Sequence, residues 1–196
     1  MALMYNSGMQ DKKALVFVGM PGAGKSVCVN YLKDKGLPSA YFGGITLDEL
    51  KKRGMDVNEA NEKLVREEIR AQEGKGAYAL RMIAQVEQFF EQGQTVVVVD
   101  GLYSWTEYKI FKDTLDDKAI IIAVVAPRKD RHTRLAKREI RPLNEADASS
   151  RDYAEIENLE KGGPIANADY YLGNATTPDE LRADLEQLLN SIGVNV

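Results

Sequence analysis

The sequence predicts an α/β fold: a doubly wound, five-stranded parallel sheet covered by helices. Three observations carry that expectation. Apolar runs alternate with helical stretches along the chain, two of the runs are apolar throughout as strands buried on both faces are, and a glycine-rich turn joins the first run to the first helix. The 196 residues have ordinary apolar and charged fractions of 44% and 29%. They suffice for one domain whose core removes about 70% of the surface of the unfolded chain.

The first apolar run is Ala14-Leu15-Val16-Phe17-Val18, after a stretch at 1–13 read as a flexible tail. It leads into Gly19-Met20-Pro21-Gly22-Ala23-Gly24-Lys25-Ser26, a G-x-x-x-x-G-K-S pattern with no position out of register, and then a helical stretch over 27–35. Each residue type has a physical reason. Glycines let several backbone N–H groups curl inward toward one phosphate, and the positive end of the following helix faces the same anion. Lys25 supplies a mobile charge for the outer phosphates, and the Ser26 hydroxyl suits Mg²⁺. Residues Gly19, Pro21, Gly22, Ala23, Gly24, Lys25, Ser26 and Val27 are therefore the expected nucleotide-binding segment, with ATP and Mg²⁺ as its ligands.

A short second strand is expected at 39–42. A helical insertion spans 44–92, with a break at Gly74-Lys75-Gly76 and a core stripe of Leu80, Ile83, Val86 and Phe90. The run Val96-Val97-Val98-Val99 ends in Asp100-Gly101, and residues 120–125 repeat the apolar pattern. An acid at the end of such a strand is placed to hold Mg²⁺ beside the glycine loop, although a helix-capping role is the simpler alternative. Gly101, Leu102, Tyr103 and Ser104 then face the acceptor.

A basic lid region follows at 128–161. Its first helix is read over 128–141, where Arg131, Arg134 and Arg138 share one face; Arg134 and Arg138 are the expected catalytic arginines, since bidentate donors match charge spread over phosphoryl oxygens. His132 is expected to be exposed. Arg151 on the next helix, and Arg66 and Arg70 in the insertion, are candidate substrate contacts, against the ordinary fate of arginine as a solvated surface residue. Tyr41, Phe42 and Tyr78 suit base stacking or the core. Gly162-Gly163-Pro164 ends the lid, residues 168–172 form the last strand, and Thr177-Pro178-Asp179-Glu180 starts a helix that faces the sheet with Leu181, Leu185 and Leu188.

The net charge of −4 does not suit nucleic acid or an anionic membrane as partner. A single cysteine, Cys28, precludes an internal disulfide and reads as a core residue in a reducing, cytoplasmic setting. No apolar run approaches membrane-spanning length, and the start of the chain lacks the pattern of a signal peptide. Monomer and homodimer both remain open.

On these residues the chain resembles the P-loop nucleotide kinase superfamily. The glycine loop and Asp100-Gly101 are similar to adenylate kinase, although Tyr103-Ser104 stands where that family continues with Pro-Arg. The whole layout is closer to dephospho-coenzyme A kinase and to a group of uncharacterised, mainly archaeal nucleotide-kinase-like proteins. That similarity rests on the loop at 19–25, Glu73-Gly74-Lys75-Gly76-Ala77, Asp100-Gly101, the arginine-rich lid and Ala168-Asp169-Tyr170. It implies a Mg²⁺–ATP-dependent kinase acting on a nucleotide-like small molecule, a nucleoside monophosphate or dephospho-coenzyme A. Where dephospho-coenzyme A kinases carry an aspartate after the second strand, this chain has Gly43-Gly44. That favours a phosphate acceptor, which is already ionised, or leaves Asp100 as the base. The rival reading is a non-kinase NTPase serving as a regulatory or interaction module. An Asn-Lys-x-Asp base-reading signature and a Ser-Gly-Gly signature are both absent, and an AAA-type motor is expected to bring a helical second domain beyond this length.

Overall fold

The computed structural model describes residues 12–139 and 141–195. The tail expected at 1–13 lies outside the described residues as far as residue 11, and at its other end Lys13 already belongs to the first strand. In chain order the strands are β1 (Lys13–Val18), β2 (Ser39–Tyr41), β3 (Val96–Asp100), β4 (Ala119–Val125) and β5 (Tyr170–Gly173). They pair in the order β2-β3-β1-β4-β5. Every pairing is parallel, as the all-apolar runs require.

The pleat divides the core in two. On one face Ala14, Val16 and Val18 of β1 join Val97, Val99, Ile121 and Ala123; on the other Leu15 and Phe17 join Val98, Ile122 and Val124. The first face is covered by the insertion helices α2 (Phe42–Lys52), α3 (Glu59–Glu73) and α4 (Ala77–Glu91), and by α5 (Trp105–Leu115). The second face is covered by α1 (Lys25–Asp34) and the final helix α9 (Pro178–Ser191), while α6 (Arg128–Ala136), α7 (Glu145–Glu157) and α8 (Gly162–Ala166) lie between β4 and β5. Chain direction reverses about β1, because α1 leads to β2 on one side while β4 lies on the other. A ligand crevice is expected at that switch point.

Several boundaries differ from the sequence reading. Phe42 starts α2 instead of ending β2, because its ring is needed in the core, packed edge-on to Tyr103 at 5.7 Å. The stripe on α4 turns by one position: Leu80 is 54% exposed, while Ala79 and Met82 are fully buried beside Ile83, Val86 and Phe90. On α9, Leu189 is buried with Leu181 and Leu185, and Leu188 packs only at the rim. The basic helix stops at Ala136 rather than 141, which leaves Arg138 in the loop beyond it. Gly162-Gly163-Pro164 forms the start of α8 instead of a simple stop. The last case has a packing cause, since a Cβ on Gly163 would stand 2.8 Å from the Trp105 ring.

Leu185→Ala should lower stability by about 2–5 kcal/mol and Leu80→Ala by about 0.5 or less, both read by urea unfolding. A large loss at Leu80 would restore the original stripe. Cys28 is fully buried on α1, and burial pushes its thiol up to about 12. It should therefore resist a thiol reagent at pH 8 until the protein is unfolded, as followed by absorbance of the released chromophore.

Candidate phosphate-binding site

Between β1 and α1 the backbone turns through residues whose conformation suits glycine. Gly22 and Gly24 have φ of +78° and +107°, where an L side chain is strained. The same two positions are packed closely from outside. A Cβ on Gly22 would stand 2.6 Å from the Arg131 carbonyl oxygen, and one on Gly24 would collide with the Asn174 amide. No side chain caps α1, so its first N–H groups and the positive end of its dipole are free to meet an anion.

The loop is held by three polar groups from distant parts of the chain. Arg131 donates to the Pro21 carbonyl at 3.0 Å and makes a two-pronged pair with Asp152 at 2.8 and 2.7 Å. Asn174, just past β5, donates from Nδ2 to the Ala23 carbonyl at 2.7 Å. Arg134 donates to the Asn174 carbonyl at 2.8 Å and to that of Gly22 at 3.4 Å. Burial by itself would raise the Asp152 carboxyl, but hydrogen bonds from Arg131 and His132 outweigh it and hold the group below the usual carboxylate range. His132, expected to be exposed, is 5% exposed. The cause is Asp152, whose Oδ2 lies 3.0 Å from Nε2; Nδ1 stands 2.9 Å from Glu145 Oε2 without the alignment of a hydrogen bond.

A cavity of about 190 Å³ opens in front of the loop. That is below the range of about 300–1,000 Å³ usual for a whole small molecule and suits one end of a ligand. Pro21, Gly22, Gly24, Lys25 and Ser26 form its floor. Asp100 enters from the end of β3, beside Phe17 of β1 and Tyr41 of β2 in register, and Tyr41 and Tyr103 complete that wall. Arg138, Arg151, Glu155 and Lys161 complete the lining.

Lys25 donates from Nζ to the Gly19 carbonyl at 2.6 Å and to that of Met20 at 3.3 Å. Burial pulls its ammonium down to about 8, and the charge of Lys161 acts in the same direction against Glu155 and Asp100. Burial raises the Asp100 carboxyl, partly offset by Lys25. Ser26 and Asp100 supply hard oxygen donors to one space, which fits Mg²⁺ bound jointly with a nucleotide's phosphates. Among the described residues no cluster of three His, Cys, Asp or Glu is able to hold a metal by itself.

Of the residues singled out in the sequence, the cavity thus brings together Pro21, Gly22, Gly24, Lys25, Ser26, Asp100, Tyr103, Arg138 and Arg151. Gly19 stands behind it as the acceptor for Lys25, Ala23 is buried, and Val27 faces a separate groove on α1. Gly101, with φ of +97°, forms the turn under the Tyr103 ring. Arg134 supports the loop from behind. Arg66 pairs with Glu59 at 3.2 Å and Glu62 at 3.4 Å, Arg70 lies over the Tyr78 ring at 5.2 Å, and neither is among the residues that line the cavity. The sequence reading left out Glu155, Lys161 and Asn174. Only Glu155 gave a signal, four residues after Arg151 on one helix face.

Asp152→Ala should cost about 3–5 kcal/mol, because it strands a buried guanidinium. Since the folded carboxyl is held low, this contribution is present above the ordinary carboxylate range and is lost as pH falls through the lowered value. Unfolding curves of wild type and variant should accordingly converge in acid; a constant gap down to pH 2 would show that the ion pair is not its source.

The family model described as "AAA domain" matches residues 15–157, from β1 to the end of α7. The UPF0200 protein TK1334 of Thermococcus kodakarensis is 33% identical over 181 residues, covering 91% of this chain and 97% of its own. Among solved structures, shikimate kinase from Acinetobacter baumannii superposes with a TM-score of 0.55 at 16% identity, covering 93% of this chain and 94% of that one. Dephospho-CoA kinase from Campylobacter jejuni superposes at 0.53 with 15% identity, covering 92% and 97%. The fold is that of the P-loop kinases.

Proposed function

The chain belongs to the AAA domain family and to the UPF0200 proteins, and on that premise we propose that it is a Mg²⁺–ATP-dependent phosphotransferase acting on a nucleotide-like small molecule. The observation that carries the reading is the composition of the cavity. The loop, Lys25, Ser26, Asp100 and two arginines from the lid region converge on one space of phosphate dimensions.

In this reading the backbone N–H groups of Gly22, Gly24, Lys25 and Ser26, with the Lys25 ammonium, bind the β- and γ-phosphates of the donor, while the Ala23 N–H expected among them is held by the Met20 carbonyl. Ser26 and Asp100 hold Mg²⁺, which when bound neutralises charge on the phosphate oxygens. Arg138 and Arg151 reach the cavity from the lid side and stabilise charge on the phosphoryl group in flight. Arg134 acts one step removed, by fixing Gly22 and Asn174.

The acceptor belongs on the Tyr103 side, with Gly101 shaping the turn below. Arg66 and Arg70 on α3 are the proposed outer contacts for its phosphate. A nucleoside monophosphate is the first choice, because the first turn of α2, directly after β2, carries Gly43 and Gly44 where a hydroxyl acceptor would want a base; dephospho-coenzyme A stands next, with Asp100 as the base.

The test is ATP consumption with Mg²⁺ across nucleoside monophosphates, nucleosides and dephospho-coenzyme A, with product mass determined. One acceptor should stimulate turnover strongly and gain a phosphoryl group. Lys25→Ala should reduce that turnover by about 10²-fold or more with the fold intact. Slow hydrolysis that no acceptor accelerates would instead identify a regulatory NTPase.

A further inference from the structure

Two buried charges in the cavity have no part in that reaction. Glu155 sits in the last turns of α7, and Lys161 lies in the turn between α7 and α8, 2% exposed. They pair with each other, and Glu155 also accepts from Arg151 Nε at 3.2 Å. The Lys161 ammonium lies 4.8 Å from the centre of the Tyr103 ring.

The position of Lys161 is built with some care. Glu160 before it has φ of +52°, a left-handed conformation that costs a non-glycine residue about 1–2 kcal/mol. The Lys161 N–H donates back to the Glu155 carbonyl at 3.1 Å, and the Leu159 carbonyl accepts from Trp105 N–H at 3.4 Å. Trp105 packs against Gly163, and Tyr108 donates to the Asn167 carbonyl at 2.9 Å. The turn is therefore anchored to α5, independently of the loop contacts made by α6.

A structural ion pair alone is a poor explanation of this arrangement. Burying two charges costs several kcal/mol per ion, and an apolar pair of the same volume would pack as well. The cavity holds Lys25, Arg138, Arg151 and Lys161 against Asp100 and Glu155. Among the described residues no ion pair engages Arg138, and Glu155 is shared between two cations. Lys161 is also the foremost charged influence on Lys25. Two lysines that line one cavity and repel each other, with more positive than negative charge around them, call for an anion in that cavity.

We propose that Lys161 is a second phosphate-binding lysine, which meets the terminal phosphate of ATP alongside Lys25, with Glu155 as the counter-ion that keeps it charged and in place. The inference rests on the phosphotransferase reading of this site and adds a residue on the α7–α8 turn to it. It also makes the site selective for a triphosphate, because the diphosphate lacks the group that Lys161 contacts.

Equilibrium binding of Mg²⁺–ATP and Mg²⁺–ADP to the full chain, measured calorimetrically, tests this. Lys161→Met should weaken ATP binding about tenfold while leaving ADP binding within about twofold, since a hydrogen bond to a charged group is lost only with the triphosphate. The double variant Glu155→Gln, Lys161→Met leaves no buried charge without a partner and should show the same selective loss. ATP preference unchanged in Lys161→Met, or returned to the wild-type ratio in the double variant, would overturn the proposal and reduce Lys161 to a counter-ion for Glu155. Wild-type protein that binds neither nucleotide would instead remove the phosphotransferase reading, and this inference with it.

Discussion

The glycine loop has almost no side chains with which to hold its own shape, so everything in the site depends on what grips its backbone. The Arg131–Asp152 pair is the firmest of these grips. Arg131 holds the Pro21 carbonyl while its own carbonyl presses on Gly22, and Asp152 fixes its direction with both oxygens. Asn174 and Arg134 secure Ala23 and Gly22. The carbonyls are thereby turned outward to protein partners, and apart from that of Ala23, which donates to the Met20 carbonyl at 3.1 Å, the N–H groups of residues 22–26 are left for a ligand. A loop chosen for flexibility becomes rigid because α6, α7 and the end of β5 meet behind it.

That arrangement concentrates positive charge in front of the loop. The chain as a whole is acidic, so the cationic lining of a small cavity is a local property, set by which side chains converge. Burial then sharpens it. With little water to screen them, Lys25 is pulled down toward neutral pH and Asp100 is pushed up, and both effects lessen when an anion or a cation arrives. On the proposed phosphotransfer, binding relieves that state, which is how a preorganised electrostatic environment favours charge in transit.

Much of this was readable in the chain before folding. The P-loop pattern, the valine strand ending in Asp100 and the strand–helix alternation identify the fold, because backbone sterics and burial on two faces leave few alternatives for those residues. Cys28 and the capping box at Thr177 behaved as their local chemistry required. What failed were statements about a helix's facing. Leu80 and Leu188 fit a periodic stripe, yet a neighbouring position is buried, since the actual stripe is set by the direction from which the sheet approaches.

The sequence by itself determined the sheet, the glycine loop and the acid beside it, since all of these are written in residues close together along the chain. Only the tertiary structure decided which charges share the cavity. Arg134 and His132 lie on a helix that reads as a solvated basic face, and the fold turns one toward Asn174 and buries the other against Asp152. Lys161 has no local signal at all, because its environment is made by Glu155, Tyr103 and Lys25 from three separate segments. The reason is physical: a charge's role follows from the groups around it in space, and such neighbours meet only when loop closure and packing have brought them together.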